Sequence, residues 1–80
     1  MYYSTSELQM RLGQNLRAYR KKTGMSQEEF AAEVTGFHRT HQSALERGQE
    51  NVTLQALERL AAKLDVDPLD LLKVPDDDAE

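Results

Sequence analysis

Residues 25–48, MSQEEFAAEVTGFHRTHQSALERG, decide the fold. Ser26 and Glu29 have the spacing of a capping box, in which the Ser hydroxyl and the Glu carboxylate each satisfy a free N–H at a helix start. Phe30, Ala31 and Val34 then recur on one face at helical spacing. Gly36 supplies a turn, and a second helical stretch runs from about Arg39 and stops before Gly48. That second helix opens Arg39-Thr40-His41 and has no broad apolar stripe. A helix of this kind is held by its neighbours and shown to a partner, which is what reading the major groove of DNA requires.

Working outward, Leu8, Leu12, Leu16 and Tyr19 make an apolar stripe through about Lys22, and Gly24 ends that helix. Ser4-x-x-Glu7 is a capping box at its start, with Ser6 as a later candidate. Met25 is expected to fill the core. After a loop over residues 48–53, Thr53 caps a fourth helix, with Val52 and Leu57 as a hydrophobic staple. Leu54, Leu57, Leu60, Ala61 and Leu64 lie on its expected buried side, and Asp65 takes the left-handed position after it. Asp67-Pro68 then starts a short fifth helix, from Pro68 to about Leu72. The pattern predicts an all-α fold of five helices without a sheet. Residues 1–74 form one domain, and residues 75–80 an acidic, disordered tail.

Eighty residues allow one small domain with a modest core, burying about 60% of the unfolded surface, so that association could add materially to stability. No Cys is present, which excludes disulfides and thiolate metal sites and fits the cytosol. No apolar run precedes a cleavage signal or reaches membrane-spanning length, so the chain reads as cytoplasmic, with no membrane partner. The net charge of −4 argues against DNA as a whole-chain average. Its distribution does not. Residues 1–48 hold seven Lys/Arg against five Asp/Glu, and residues 49–80 three against nine. Such a chain could turn its first half to phosphates and its acidic half away.

The pieces Leu12-Gly13-x-x-Leu16-Arg17-x-x-Arg20, Gly24 to Ala31, Arg39-Thr40, Leu45-Glu46-Arg47-Gly48 and Leu57-x-x-Leu60-Ala61-x-x-Leu64 occur in order over residues 12–66. Together they resemble the phage-repressor (Xre/Cro) class of helix-turn-helix DNA-binding domains. Arg39-Thr40 and Glu46-Arg47-Gly48-x-x-Asn51-x-Thr53 also resemble the small controller proteins of restriction-modification systems. The resemblance implies a recognition helix over about residues 39–46. Arg39, Thr40, Ser43 and Ala44 would then face base edges, with Arg39 suited to the O6 and N7 of guanine. Ser26, Gln27, His41, Arg47, Asn51 and Lys21 are the expected phosphate contacts. Arg20 and Glu46 are implied as a structural ion pair between the first and third helices.

Two departures qualify the match. Four residues separate Ala31 from Gly36, where the family pattern has three, so the turn is expected to be one residue longer. Gln42 stands where the family keeps an apolar residue. It could be wet, hydrogen-bonded inside the enlarged turn, or rotated out with His41 partly inward.

His38 and His41 stand three apart, but no third ligand is near them in sequence, so neither a metal nor another cofactor is expected. No nucleophile, carboxylate and imidazole share a catalytic spacing, so the chain does not read as an enzyme. A helix-turn-helix of this size reads few base pairs, which calls for a homodimer on a pseudo-symmetric, double-stranded operator and a role in transcription. Leu71, Val74 and Val66 are the candidate interface residues, while Leu69 and Leu72 should cover the first helix. An antitoxin-like or adaptor role, with another protein as main partner at the acidic half, is the alternative.

Overall fold

Thr5–Thr23 form the longest helix, α1, in a computed structural model that describes residues 5–75, with side chains from residue 7 onward. The expected box at Ser4 and the acidic residues after Pro75 lie outside what is described, while Ser6, the later cap candidate, lies inside α1 rather than at its cap position. Three further α-helices follow: α2 (Gln27–Phe30), α3 (Arg39–Glu46) and α4 (Leu54–Leu64). Among the described residues there is no strand.

Local signals set most of the boundaries. Ser26 Oγ accepts from Glu29 N at 3.1 Å, and Glu29 Oε1 accepts from Ser26 N at 2.9 Å, closing both halves of the capping box. Thr53 Oγ1 accepts from Ala56 N at the start of α4, and Asp65 ends that helix at φ 58°, ψ 47°. Asp is one of the few residues other than Gly that visit this left-handed conformation, since its short polar side chain is able to bond locally.

The extra residue between Ala31 and Gly36 does not lengthen the turn. It is taken up inside the helix. α2 continues without a break into a π-helical turn, Ala31–Thr35, and Gly36 N donates to Ala31 O, five residues back, at 2.7 Å. Gly36 then leaves at φ 76°, which only a residue without Cβ adopts cheaply.

The core gathers Leu12 and Leu16 of α1, Leu45 of α3, Leu57, Leu60 and Ala61 of α4, and Leu71. α1 crosses the end of α3 at very short range through Gly13. A Cβ there would lie 2.5 Å from Leu45 O and 2.6 Å from Glu46 O. Met25, expected in the core, is half-buried, and its carbonyl accepts a hydrogen bond from Arg20 Nη1.

Four expectations about the C-terminal half need correction. The fifth helix is a single 3₁₀ turn, Pro68–Leu71, opened by the Asp67 cap, and a segment this short is the usual setting of a 3₁₀ turn. With three residues per turn, Pro68 and Leu71 share a face. Leu71 is therefore fully buried, closes the core, and cannot serve an interface. Leu69, expected to cover α1, is 72% exposed instead. Leu54, expected on the buried side of α4, is 78% exposed. Asn15 of α1 holds the C-terminal segment in place, its amide donating to Leu71 O at 2.9 Å and to Lys73 O at 3.0 Å.

Candidate nucleic-acid interface

α3 is displayed on one side and anchored on the other. His38 caps it, Nδ1 accepting from Thr40 N at 3.2 Å, so the first turn starts with a defined direction. Arg39 and Thr40 project from that turn and are exposed, while Ser43 and Ala44 lie one turn on and are half-buried. A shallow groove lined by Glu28, Ala31, Ala32, Phe37, His38 and Arg39 runs beside the Arg39 stem. The opposite face of the helix, Gln42, Leu45 and Glu46, is buried.

That buried face is held by a polar network. Arg20 donates to both carboxylate oxygens of Glu46, from Nε at 2.7 Å and from Nη2 at 3.0 Å. Gln42 Nε2 adds a bond to Glu46 Oε2 at 2.9 Å, and Gln27 Nε2 one to Oε1 at 3.1 Å. Burial alone would raise the Glu46 carboxyl. The hydrogen bonds from Arg20, Gln42 and Gln27, with the Arg20 charge, override it and hold the group below its ordinary value of 4.5. Gln42 Oε1 in turn accepts from Thr35 Oγ1 at 2.9 Å. Of the three sequence alternatives for Gln42, the bonded, interior one is what forms.

The expected phosphate-contacting residues occupy different surroundings. Lys21, Ser26, Arg47 and Asn51 are exposed. Arg47 donates to Ser43 Oγ and, at 3.1 Å, to Gln49 Oε1, which ties the helix exit to its middle turn. Asn51 Oδ1 accepts from Gln9 of α1. Gln27 is half-buried and directs its amide nitrogen inward to Glu46. His41 is half-buried, its ring 4.5 Å from that of Phe37 and its Nε2 3.5 Å from Glu50 Oε1. His38 and His41 are thus engaged separately, and among the described residues no three potential metal ligands converge. Among those residues, too, no helix is long and apolar enough to cross a membrane.

Two contributors escaped the sequence reading. Thr35 carries the link from the π turn to Gln42, and its carbonyl also accepts from Lys63 Nζ of α4 at 3.0 Å. Asn15 was the other, and the signal for it was a polar residue inside the apolar stripe of α1, between Leu12 and Leu16.

A capped helix with its polar first turn free, packed behind a second helix and braced by an ion pair, is the geometry of a helix-turn-helix. A family model described as a helix-turn-helix domain matches residues 11–79. The chain belongs to this family of DNA-binding transcription regulators. The control protein C.BamHI of Bacillus amyloliquefaciens is 42% identical to it over 85% of this chain and 84% of its own. Among solved structures, a hypothetical transcription factor from Neisseria superposes with a TM-score of 0.75 at 39% identity, over 90% of this chain and 80% of that one. The restriction-modification controller protein C.AhdI from Aeromonas hydrophila gives a TM-score of 0.65 at 40% identity, over 79% of this chain and 94% of that one. The family is regulatory rather than enzymatic.

Proposed function

We propose that this protein is a cytoplasmic, sequence-specific regulator of transcription that binds double-stranded DNA as a homodimer on a pseudo-symmetric operator. It acts near its own gene, as a controller of the kind named among its relatives. α3 enters the major groove. Arg39 and Thr40 read base edges from its first turn, and Ser43 and Ala44 extend the reading one turn on. Lys21, Ser26, Gln27, His41, Arg47 and Asn51 hold the phosphate backbone around the half-site.

The observation that carries this reading is the division of α3. Arg39 and Thr40 are exposed at a capped N-terminus, while Gln42, Leu45 and Glu46 on the other side are locked to the scaffold. One half-site of a few base pairs cannot give useful affinity, and two copies a helical turn apart can. Of the exposed large apolar side chains, Leu69 and Val74, 72% and 66% exposed, both lie in the C-terminal segment and form the two-fold contact, with half-buried Val66 beside the core.

Selection of bound duplexes from a random pool, with the mass of the recovered complex measured, tests the proposal. An enriched inverted repeat carrying two chains is the expected result. No enriched repeat at moderate salt, together with co-purification of a specific protein, would favour the adaptor role instead.

A further inference from the structure

Gln42 is a fully buried amide where the family's pattern has an apolar side chain, and its partner Thr35 closes a π turn that contains the extra residue of this chain. The two departures meet in one hydrogen bond. We propose that Thr35 and Gln42 are positioning residues for base reading, setting the tilt at which Arg39 and Thr40 are presented to the duplex. This rests on the reading of α3 as the helix that enters the groove.

The connection is continuous. The π turn displaces the end of α2 by one residue and brings the Thr35 hydroxyl against Gln42 Oε1, at 2.9 Å. Gln42 Nε2 passes the link to Glu46 Oε2, one turn along α3, where Arg20 of α1 also bonds. Lys63 of α4 fixes the other end by donating to the Thr35 carbonyl. α3 is thereby referenced to α1, to the π turn and to α4 through directional bonds. An apolar side chain at position 42 would fill the same space and leave rotation about the helix axis less defined, because dispersion contacts lack direction. Among the described residues no buried side-chain nitrogen or oxygen lacks a hydrogen bond, so the network is complete as it stands and favours one arrangement. Thr35 and Gln42 are both buried, so neither presents a side chain to a duplex. Their effect reaches DNA only through the aim of Arg39, whose paired bonds to a base edge tolerate little angular error.

The test uses the full chain, the duplex recovered by selection, and a scrambled duplex of equal length. The ratio of the two affinities is the reading. Thr35→Val keeps the shape of the side chain and removes the hydroxyl, and Thr35→Ser keeps the hydroxyl. The paired variant Thr35→Val/Gln42→Leu removes both partners of the Thr35–Gln42 bond, so neither is left facing an empty partner. Glu46 loses its Gln42 donor but keeps those from Arg20 and Gln27. This is the second variant should the single one not fold. Thr35→Val, or the paired variant, is expected to lower the specific-to-scrambled ratio about tenfold while binding to the scrambled duplex stays within about twofold of the parent. Thr35→Ser should retain the parent's ratio. An unchanged ratio in the folded Thr35→Val or paired variant, with a ratio that collapses in Arg39→Ala, would overturn the positioning role. Equal losses on both duplexes would overturn it too, since they would mean a purely structural effect. An unchanged ratio in Arg39→Ala as well would instead remove the reading of α3 on which the proposal stands.

Discussion

Arg20 and Glu46 meet side-on, two nitrogens on two oxygens at 2.7 and 3.0 Å, and the contact joins α1 to the far end of α3. Glu46 has a side chain only 3% exposed, so its charge depends on the donors around it rather than on water. An intact buried pair adds little net stability, because desolvation offsets most of its attraction. Its consequence is geometric. It fixes the end of α3 opposite the Arg39 turn.

Arg20→Met should therefore be costly by leaving Glu46 charged and short of its main donor, by about 3–5 kcal/mol at neutral pH in urea denaturation. The sign of the pH effect follows from the direction of the Glu46 shift. Its carboxyl is held below 4.5 when folded, so its contribution is present above that value and is lost as pH falls through the lower, folded value. The gap between parent and Arg20→Met should narrow on acidification below 4.5, and a gap independent of pH would be evidence against a charged Glu46 as the cause.

Gly13→Ala should destabilise the fold even though alanine is the better helix former by about 1 kcal/mol. The new methyl would sit against the Leu45 and Glu46 carbonyls, which belong to the α3 backbone and have little freedom to yield. Overpacking of this kind costs about 1–3 kcal/mol, and α3 would be pushed away from α1. A thermal melt showing Gly13→Ala more stable than the parent would mean that the two helices are not in such close contact in solution.

Replacing Leu69 and Val74 together by Glu should yield a folded monomer at concentrations where the parent is a dimer, because both side chains are exposed and carry no core packing. Leu71→Ala should behave differently. It opens a cavity and lowers stability by about 2–5 kcal/mol. Light scattering and circular dichroism on the same samples separate the two outcomes. A dimer that survives the Leu69/Val74 change would place the two-fold contact elsewhere.

The Ser26 box, the Thr53 cap, left-handed Asp65 and the Asp67-Pro68 start were legible because each is settled by residues a few positions apart. What the sequence did not disclose depends on geometry beyond the local pattern. A spare residue between Ala31 and Gly36 reads the same whether it lengthens the turn or enters the helix as a π turn. Leu69 and Leu71 exchanged places because an α-helical spacing and a 3₁₀ spacing point different side chains inward. The Asn15 clamp on Leu71 spans 56 residues, and no local signal announces its partner. In the candidate interface, the opening of α3 at Arg39-Thr40 was legible. The Thr35–Gln42 bond was not, since it follows from the π turn.

The most direct test of base reading compares Arg39→Ala with Arg47→Ala on the selected duplex and on its single-base variants. Arg39 is exposed on the first turn of α3, and Arg47 lies at its exit, bonded to Ser43 and Gln49. Arg39→Ala should cost about 1–3 kcal/mol on the selected site and flatten discrimination at one symmetric base-pair position. Arg47→Ala should weaken all duplexes alike and reduce the slope of log affinity against log salt by roughly 0.9, the share of one neutralised phosphate. Equal losses for Arg39→Ala on every sequence would contradict base reading and make Arg39 a backbone clamp.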